Sequence, residues 1–498
     1  MAEQTLQSIG LYLPEITLVL ALTVIILADL LAERFRNAGG WILLTGLVVA
    51  GFFTFRQFGA SESIFFDMAA VDTYGAYFKS MILLAAGFVT VFSLRSAELK
   101  AYASRVGEYY MLLAGMVLGM LMMVGSTNVL LIYLAFEVTS LSSYVLTGFT
   151  KKSPRSTEAS MKYIIYGSVS SAVMIYGISL LVGFTGATGI YEINAALSGG
   201  IASDQLLLVN LAVLMIVVGM GFKVAVVPFH FWAPDVYEGA PFPVTSILAV
   251  GSKIAAFGLL TRFFVITFTT ATDGGGAAGW SVVDGIRWDL LLGAMAALAM
   301  IVGNLTALRQ TNIKRMLAYS SIAHAGYLLM GLVVLTGQGL AAMMFYLFVY
   351  LFMNLGAFYV AMLFSNATGA ETLADYRGLG HRAPLQAVSL TIFLVALTGL
   401  PPTGGFVAKL FLFGAAISAG WIWLVIIAGI TTIISLFYYI RVVRVMYFEK
   451  PDEGAEPLRF SADTRVVLLL LLIPTLALGL YFSPLMDLSR AAVAIFGF

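Results

Sequence analysis

The chain contains no cysteine. Disulfides, thiolate metal sites and cysteine-ligated iron–sulfur clusters are therefore excluded. Charge is almost as scarce: Asp, Glu, Lys and Arg make up 11% of the residues, against about 25% in soluble domains. No glycine-rich phosphate loop is present, and no hydrophilic stretch is long enough for a second, soluble domain. No Lys or Arg precedes the first apolar run, so MAEQTLQSIG does not read as a signal peptide. The first hydrophobic segment is expected to stay as a span. Histidine occurs only at 230, 324 and 381, too scattered for a metal or haem site. His381 falls in a loop and reads as structural.

What fills the chain is apolar: 60% of residues are hydrophobic and the mean hydropathy is +0.97. An all-α polytopic membrane protein is expected, because a bilayer is crossed by about 20 apolar residues in a helix. Suitable runs fall near 11–32, 40–56, 72–94, 107–125, 127–149, 157–184, 205–231, 241–270, 286–308, 312–336, 338–366, 384–418, 420–447 and 464–484, giving about 14 spans. Basic residues test the count. Connections after odd-numbered spans hold Arg34, Arg36, Arg95, Lys100, Lys151, Lys152, Arg309, Lys314, Arg315, Arg377, Arg444 and others. Connections after even-numbered spans hold only Arg56, Arg262 and Arg287. The positive-inside rule then predicts odd loops in the cytoplasm and both termini on the other side.

Two predicted spans are broken by helix-incompatible residues. Pro228 and Pro234 interrupt the seventh, and Gly399, Pro401, Pro402, Gly404 and Gly405 interrupt the twelfth. Each carries a lysine, Lys223 and Lys409. Five spans separate them, so they enter the membrane in opposite directions, which predicts an inverted repeat of spans 4–8 and 9–13. The expected organisation is 1–106 as flanking spans 1–3, 107–270 as the first repeat, 271–447 as the second, and 448–498 as a loop, span 14 and the C-terminus.

Charge inside a span is costly, by about 2.5 kcal/mol or more per lysine, and marks ion paths. Glu137, Lys223, Lys253, His324 and Lys409 lie within spans 5, 7, 8, 10 and 12. Aligned at mid-depth they would form a polar file for proton transfer. His230, seven residues past Lys223, is a weaker candidate. Each has a plainer reading: Glu137 as a helix–helix tie, Lys253 and Lys409 as lysines satisfied by carbonyls, His324 as a hydrogen-bonded core residue. A Glu137–Lys223 ion pair that opens and closes would be a proton gate, worth about 4 kcal/mol near 4 Å at an effective dielectric of 20. Lys162 reads as snorkelling and Lys79 is open to either reading. Glu15, Asp29 and Glu108 fall near span ends, where water is close.

The words GFKVAVVPFHFWAPDVYEGAP, VGSKIAAF, TNVLLIYLAFE, NIKRMLAYSSIAHAGY and LTGLPPTGGFVAK carry a resemblance over nearly the whole chain. It resembles the antiporter-like subunits of respiratory complex I, the proton-translocating NADH:quinone oxidoreductase, which are related to Mrp cation/proton antiporters. Among them it looks like the N type: APDVYEGAP fits that pattern, and position 409 is Lys where the M type has Glu. The resemblance implies that Glu137 and Lys223 form the input pair, Lys253 the connecting lysine, His324 the central histidine and Lys409 the output lysine. It implies no cofactor in this chain, with NADH, FMN, Fe–S clusters and quinone in partner subunits. It implies M-type and small membrane subunits as partners, a bacterial inner membrane as location, and no nucleic acid. A subunit of an Mrp-type cation/proton antiporter and a non-pumping membrane spacer are the alternatives. Three buried lysines argue against a sodium site, which would need oxygen ligands.

Overall fold

The computed structural model describes residues 2–31, 38–271, 280–451 and 454–497. Arg34 and Arg36 lie outside the described residues. Among the described residues, twelve helices are long and apolar enough to cross a membrane. Gly39–Phe55 and the half-helices Pro384–Thr398 and Gly404–Ser418 complete a set of fourteen spans among the described residues. In chain order, spans 1 to 6 are Leu13–Leu31, Gly39–Phe55, Thr73–Arg95, Val106–Gly125, Val129–Thr147 and Pro154–Thr185. Span 7 is Leu206–Val224, continued after a break by the short helix Trp232–Gly239. Span 8 is Phe242–Ala249 and Gly251–Phe268, and spans 9 to 11 are Trp288–Ala307, Ile313–Val333 and Gly337–Thr368. Span 12 comprises the two half-helices, and spans 13 and 14 are Ile422–Phe448 and Ala462–Leu480. A terminal helix, Ser483–Val493, follows.

Contacts between connections fix the parity of this path. The hairpin β1 (Ser61–Ile64) and β2 (Ala69–Asp72) joins spans 2 and 3, and Ala69 bridges Ser126 of the 4–5 turn. Asn128 of that turn bridges Gly189 of the 6–7 connection. Asn194 in the same connection donates to the carbonyls of Thr267 and Thr269 at 3.1 and 2.9 Å, beside the second hairpin, β3 (Thr269–Ala271) and β4 (Trp280–Val282). Even-numbered connections thus share one face, the hairpin face. On the opposite, basic face Asn312 bridges Thr372, Arg155 meets Glu371 at 2.8 Å, and Arg95 meets Asp463 at 2.6 Å.

The breaks form where helix chemistry fails. Span 7 ends at Ala225, which adopts a left-handed conformation (φ 57°), and Pro228 follows within the break. Residues 232–239, expected to lie between spans, form a short helix at the basic face. The first half of span 12 ends at Gly399 (φ 86°), where a left-handed turn favours glycine, and the Pro401-Pro402 pair lies in the break before the second half starts at Gly404. Span 8 is also interrupted, at Val250, which the sequence did not suggest.

Spans 8, 10 and 11 are buried almost throughout, whereas spans 1, 13 and 14 are largely exposed. Several charges expected near water are instead internal. Glu15 and Lys79 are each 1% exposed and pair at 2.7 Å, with Gln57 Oε1 accepting from Lys79 at 3.3 Å. Arg262, assigned to a loop, lies inside span 8 and holds both carboxylate oxygens of Asp72 at 2.7 and 2.8 Å. These pairs tie span 3 to spans 1 and 8. Removing one partner of a buried pair leaves the other charge uncompensated. Lys79→Met should therefore destabilise the protein by about 3–5 kcal/mol, whereas Lys79→Met with Glu15→Gln should recover most of the loss. Thermal unfolding of the purified variants checks this; equal stability of single and double variants would contradict it.

Candidate functional site

Span 10 carries Ser320, Ser321, His324 and Tyr327 at helical three- and four-residue spacing, and all are buried. Their neighbours are the buried lysines and hydroxyls of spans 8, 11 and 13. Lys253, in the first turn of the second half of span 8, donates to Ser321 at both its carbonyl (2.5 Å) and its Oγ (2.6 Å). Tyr350 of span 11 donates to the same Oγ at 2.9 Å. One turn along, His324 Nδ1 meets the Tyr346 hydroxyl at 2.7 Å. One turn further, the Tyr327 ring lies 4.5 Å under the Lys409 ammonium, and its hydroxyl meets Thr431 and Thr432 at 3.1 and 3.2 Å.

Lys409 uses the break in its own span. Its Nζ donates to the Thr398 carbonyl at 2.8 Å, at the C-terminal end of the first half-helix, and to Thr432 Oγ1 at 3.2 Å. A helix C-terminus concentrates unpaired carbonyls and partial negative charge, so it solvates a cation where lipid cannot. Lys223 sits likewise in the last helical turn before the span 7 break. It donates to Ser140 Oγ at 2.9 Å and lies 5.1 Å from the Phe136 ring centroid, both on span 5. Trp232 Nε1 satisfies the neighbouring Phe222 carbonyl at 3.0 Å.

Not every predicted contact is present. Glu137 and Lys223 form no direct ion pair among the described residues. Glu137, only half-buried, accepts a hydrogen bond from Ser171 of span 6, whose Oγ also lies 3.3 Å from the Tyr133 hydroxyl. Ser140 lies one turn from Glu137 and takes the lysine instead. His230 lies in the span 7 break, 6% exposed, with Nδ1 unpartnered; no hydrogen bond or ion pair among the described residues joins it to the lysines. His381 Nε2 lies 3.1 Å from the Tyr447 carbonyl in a basic-face connection. The structure thus gathers Lys253, His324 and Lys409 along span 10 and leaves Lys223, on Ser140, and Glu137, on Ser171, without a hydrogen bond to it among the described residues.

The residues missed from sequence are the hydroxyls: Ser140, Ser171, Tyr346, Tyr350 and Thr432. A further strand of the network runs from Tyr327 to Asn304 Nδ2 (3.4 Å) and from Asn304 Oδ1 to the Tyr438 hydroxyl (3.0 Å). Hydroxyls both donate and accept, so a line of them between ammonium groups can hand protons along without free ions.

Fourteen spans, three of them broken beside buried lysines, with a hydroxyl-lined central helix, define an antiporter-like membrane protein. The family described as "NADH:quinone oxidoreductase/Mrp antiporter, TM" matches residues 126–435. NADH-quinone oxidoreductase subunit N 2 of Chloroherpeton thalassium is 44% identical over 92% of this chain and 88% of its own length. Subunit N of Chlorobium chlorochromatii is 42% identical over 98% and 96%. A chain of respiratory complex I from Thermus thermophilus, solved with bound aureothin, superposes with a TM-score of 0.78 at 29% identity, covering 96% of this chain and 99% of that one. The chain belongs to the NADH-quinone oxidoreductase subunit N family.

Tyr327 holds the Lys409 end of the network through one hydroxyl. Tyr327→Phe keeps the ring beneath the ammonium but strands buried polar partners, and should cost about 1–3 kcal/mol. Thermal unfolding measures it; unchanged stability would mean the hydroxyl holds nothing.

Proposed function

We propose that the chain moves protons across the membrane through Glu137, Lys223, Lys253, His324 and Lys409, driven by redox chemistry in partner subunits of an NADH:quinone oxidoreductase. The observation that carries this reading is the line along span 10, where Ser321, His324 and Tyr327 receive Lys253, Tyr346 and Lys409 in turn. A proton can enter this line only by displacing another. That makes it responsive to electrostatic change at either end, as a unit coupled to distant electron transfer needs. His230 stands beside the file as a reserve site in the span 7 break.

Spans 4–8 and 9–13 are the two inverted units in this proposal. Spans 6 and 11, the third member of each, are both 32 residues long. Each ends in a left-handed glycine, Gly186 and Gly369, on opposite faces. In this reading the basic face is cytoplasmic, the termini are periplasmic, and the membrane is the bacterial inner membrane. NADH, flavin, iron–sulfur clusters and quinone belong to partner subunits, among them M-type and small membrane subunits.

Lys253→Met tests the proposal in the assembled complex reconstituted in vesicles. Loss of a proton-transfer group typically slows its step by about two orders of magnitude or more. Quinone reduction should continue while protons translocated per electron pair fall. An assembled variant with normal translocation refutes the role of this lysine.

A further inference from the structure

A fourth buried lysine belongs to the same apparatus. Lys314, assigned from sequence to a cytoplasmic loop, is 5% exposed in the first turn of span 10. Its Nζ donates to the Ala240 carbonyl at 2.9 Å, at the junction between the short helix 232–239 and span 8, and lies 4.5 Å over the Phe242 ring. Thr245 Oγ1 reaches the same carbonyl at 3.4 Å and that of Tyr237 at 3.0 Å. Lys314 is seven residues before Ser321, two helical turns, so both project from the same face of span 10, about 10 Å apart along its axis.

Outward from Lys314 lies water-accessible charge. Its neighbour Arg315 lines a basic-face cleft of about 180 Å³ together with Arg155, Glu158, Lys162, Asp235 and Glu238. Arg315 pairs with Asp235 at 2.5 Å and Glu238 at 3.0 Å, and Lys162 with Asp235 at 2.6 Å and Glu158 at 2.8 Å. Inward lies Tyr237, on the same short helix as the two acids and 1% exposed, with its side chain beside Ser321. Ser321 is the residue that holds Lys253. The short helix therefore presents carboxylates to the cleft and a tyrosine to the Lys253 site, with Lys314 fastened to its end.

We propose that Lys314 is the intake residue that supplies protons to Lys253. This rests on the proton-translocating reading above. A proton leaves Lys314 Nζ and travels along the shared face of span 10, by way of water and the Tyr237 and Ser321 hydroxyls, each accepting one proton and releasing its own. It ends on Nζ of neutral Lys253, and Lys314 takes its replacement from the cleft. Only N–H and O–H bonds form and break.

The test uses Lys314→Gln and Lys314→Arg in the assembled complex in vesicles, with translocation measured against pH on the basic-face side. Arginine keeps the charge and the cap on Ala240 but does not release a proton. The proposal expects both variants to translocate several-fold more slowly at neutral pH. It expects the glutamine variant to recover as the pH on that side is lowered, because bulk protons then replace the missing donor. Wild-type translocation by Lys314→Arg shows that only the cap matters and overturns the proposal. So does a deficit in Lys314→Gln that is the same at every pH. If the glutamine variant does not assemble, the arginine variant, which keeps the cation, decides. Normal translocation by Lys253→Met would instead sink the parent reading, which separates the two failures.

Discussion

An ammonium group in an apolar interior must be solvated by protein oxygen, and the architecture follows from that requirement. Lipid offers no acceptor, and an unsatisfied charge at this depth is prohibitive. The chain supplies acceptors in two ways. It breaks helices, so that Thr398 presents a free carbonyl to Lys409 and the end of helix 232–239 presents one to Lys314. It also lines helices with hydroxyls, so that Ser140 receives Lys223 and Ser321 receives Lys253. Burial of spans 8, 10 and 11 at the centre keeps these contacts away from lipid, and the outer spans pack around them. Even the flanking spans obey the rule, through the Lys79–Glu15 and Arg262–Asp72 pairs.

Much of this was legible in residue types and spacing. Apolar runs placed the spans, Pro and Gly placed the two breaks, and lysines within apolar runs marked the site. The alternation of basic connections agreed with a path that the bridges Ala69–Ser126, Asn128–Gly189 and Asn312–Thr372 tie together. The hydroxyl partners were not legible, for a physical reason. A serine or threonine in a helix commonly bonds its own carbonyl four residues back, as Thr139 does to Ala135, so residue type does not reveal which one turns outward. Thr431 and Thr432 are adjacent, yet only Thr432 reaches Lys409. The Lys79–Glu15 pair was hidden because Glu15 lies near a span end, where water is the default partner, and Lys79, two turns into span 3, is open to either reading. Lys314 was hidden for the same reason as Glu15. The Glu137–Lys223 pairing failed because Glu137 turns toward span 6, leaving Ser140 to face the lysine.

Family membership and geometry converge on one arrangement. In the proposed file the span 10 face lies between Lys253 and Lys409, with His324 and its Tyr346 partner midway. Ser140 holds the Lys223 ammonium while the Glu137 carboxylate is engaged by Ser171.

The most direct test of the file is His324→Gln. An amide can keep the contact with the Tyr346 hydroxyl but cannot carry a proton as an imidazole does. The account predicts that the assembled complex in vesicles still reduces quinone while moving fewer protons per electron pair. An unchanged ratio in a fully assembled His324→Gln complex would contradict the claim that protons travel along span 10.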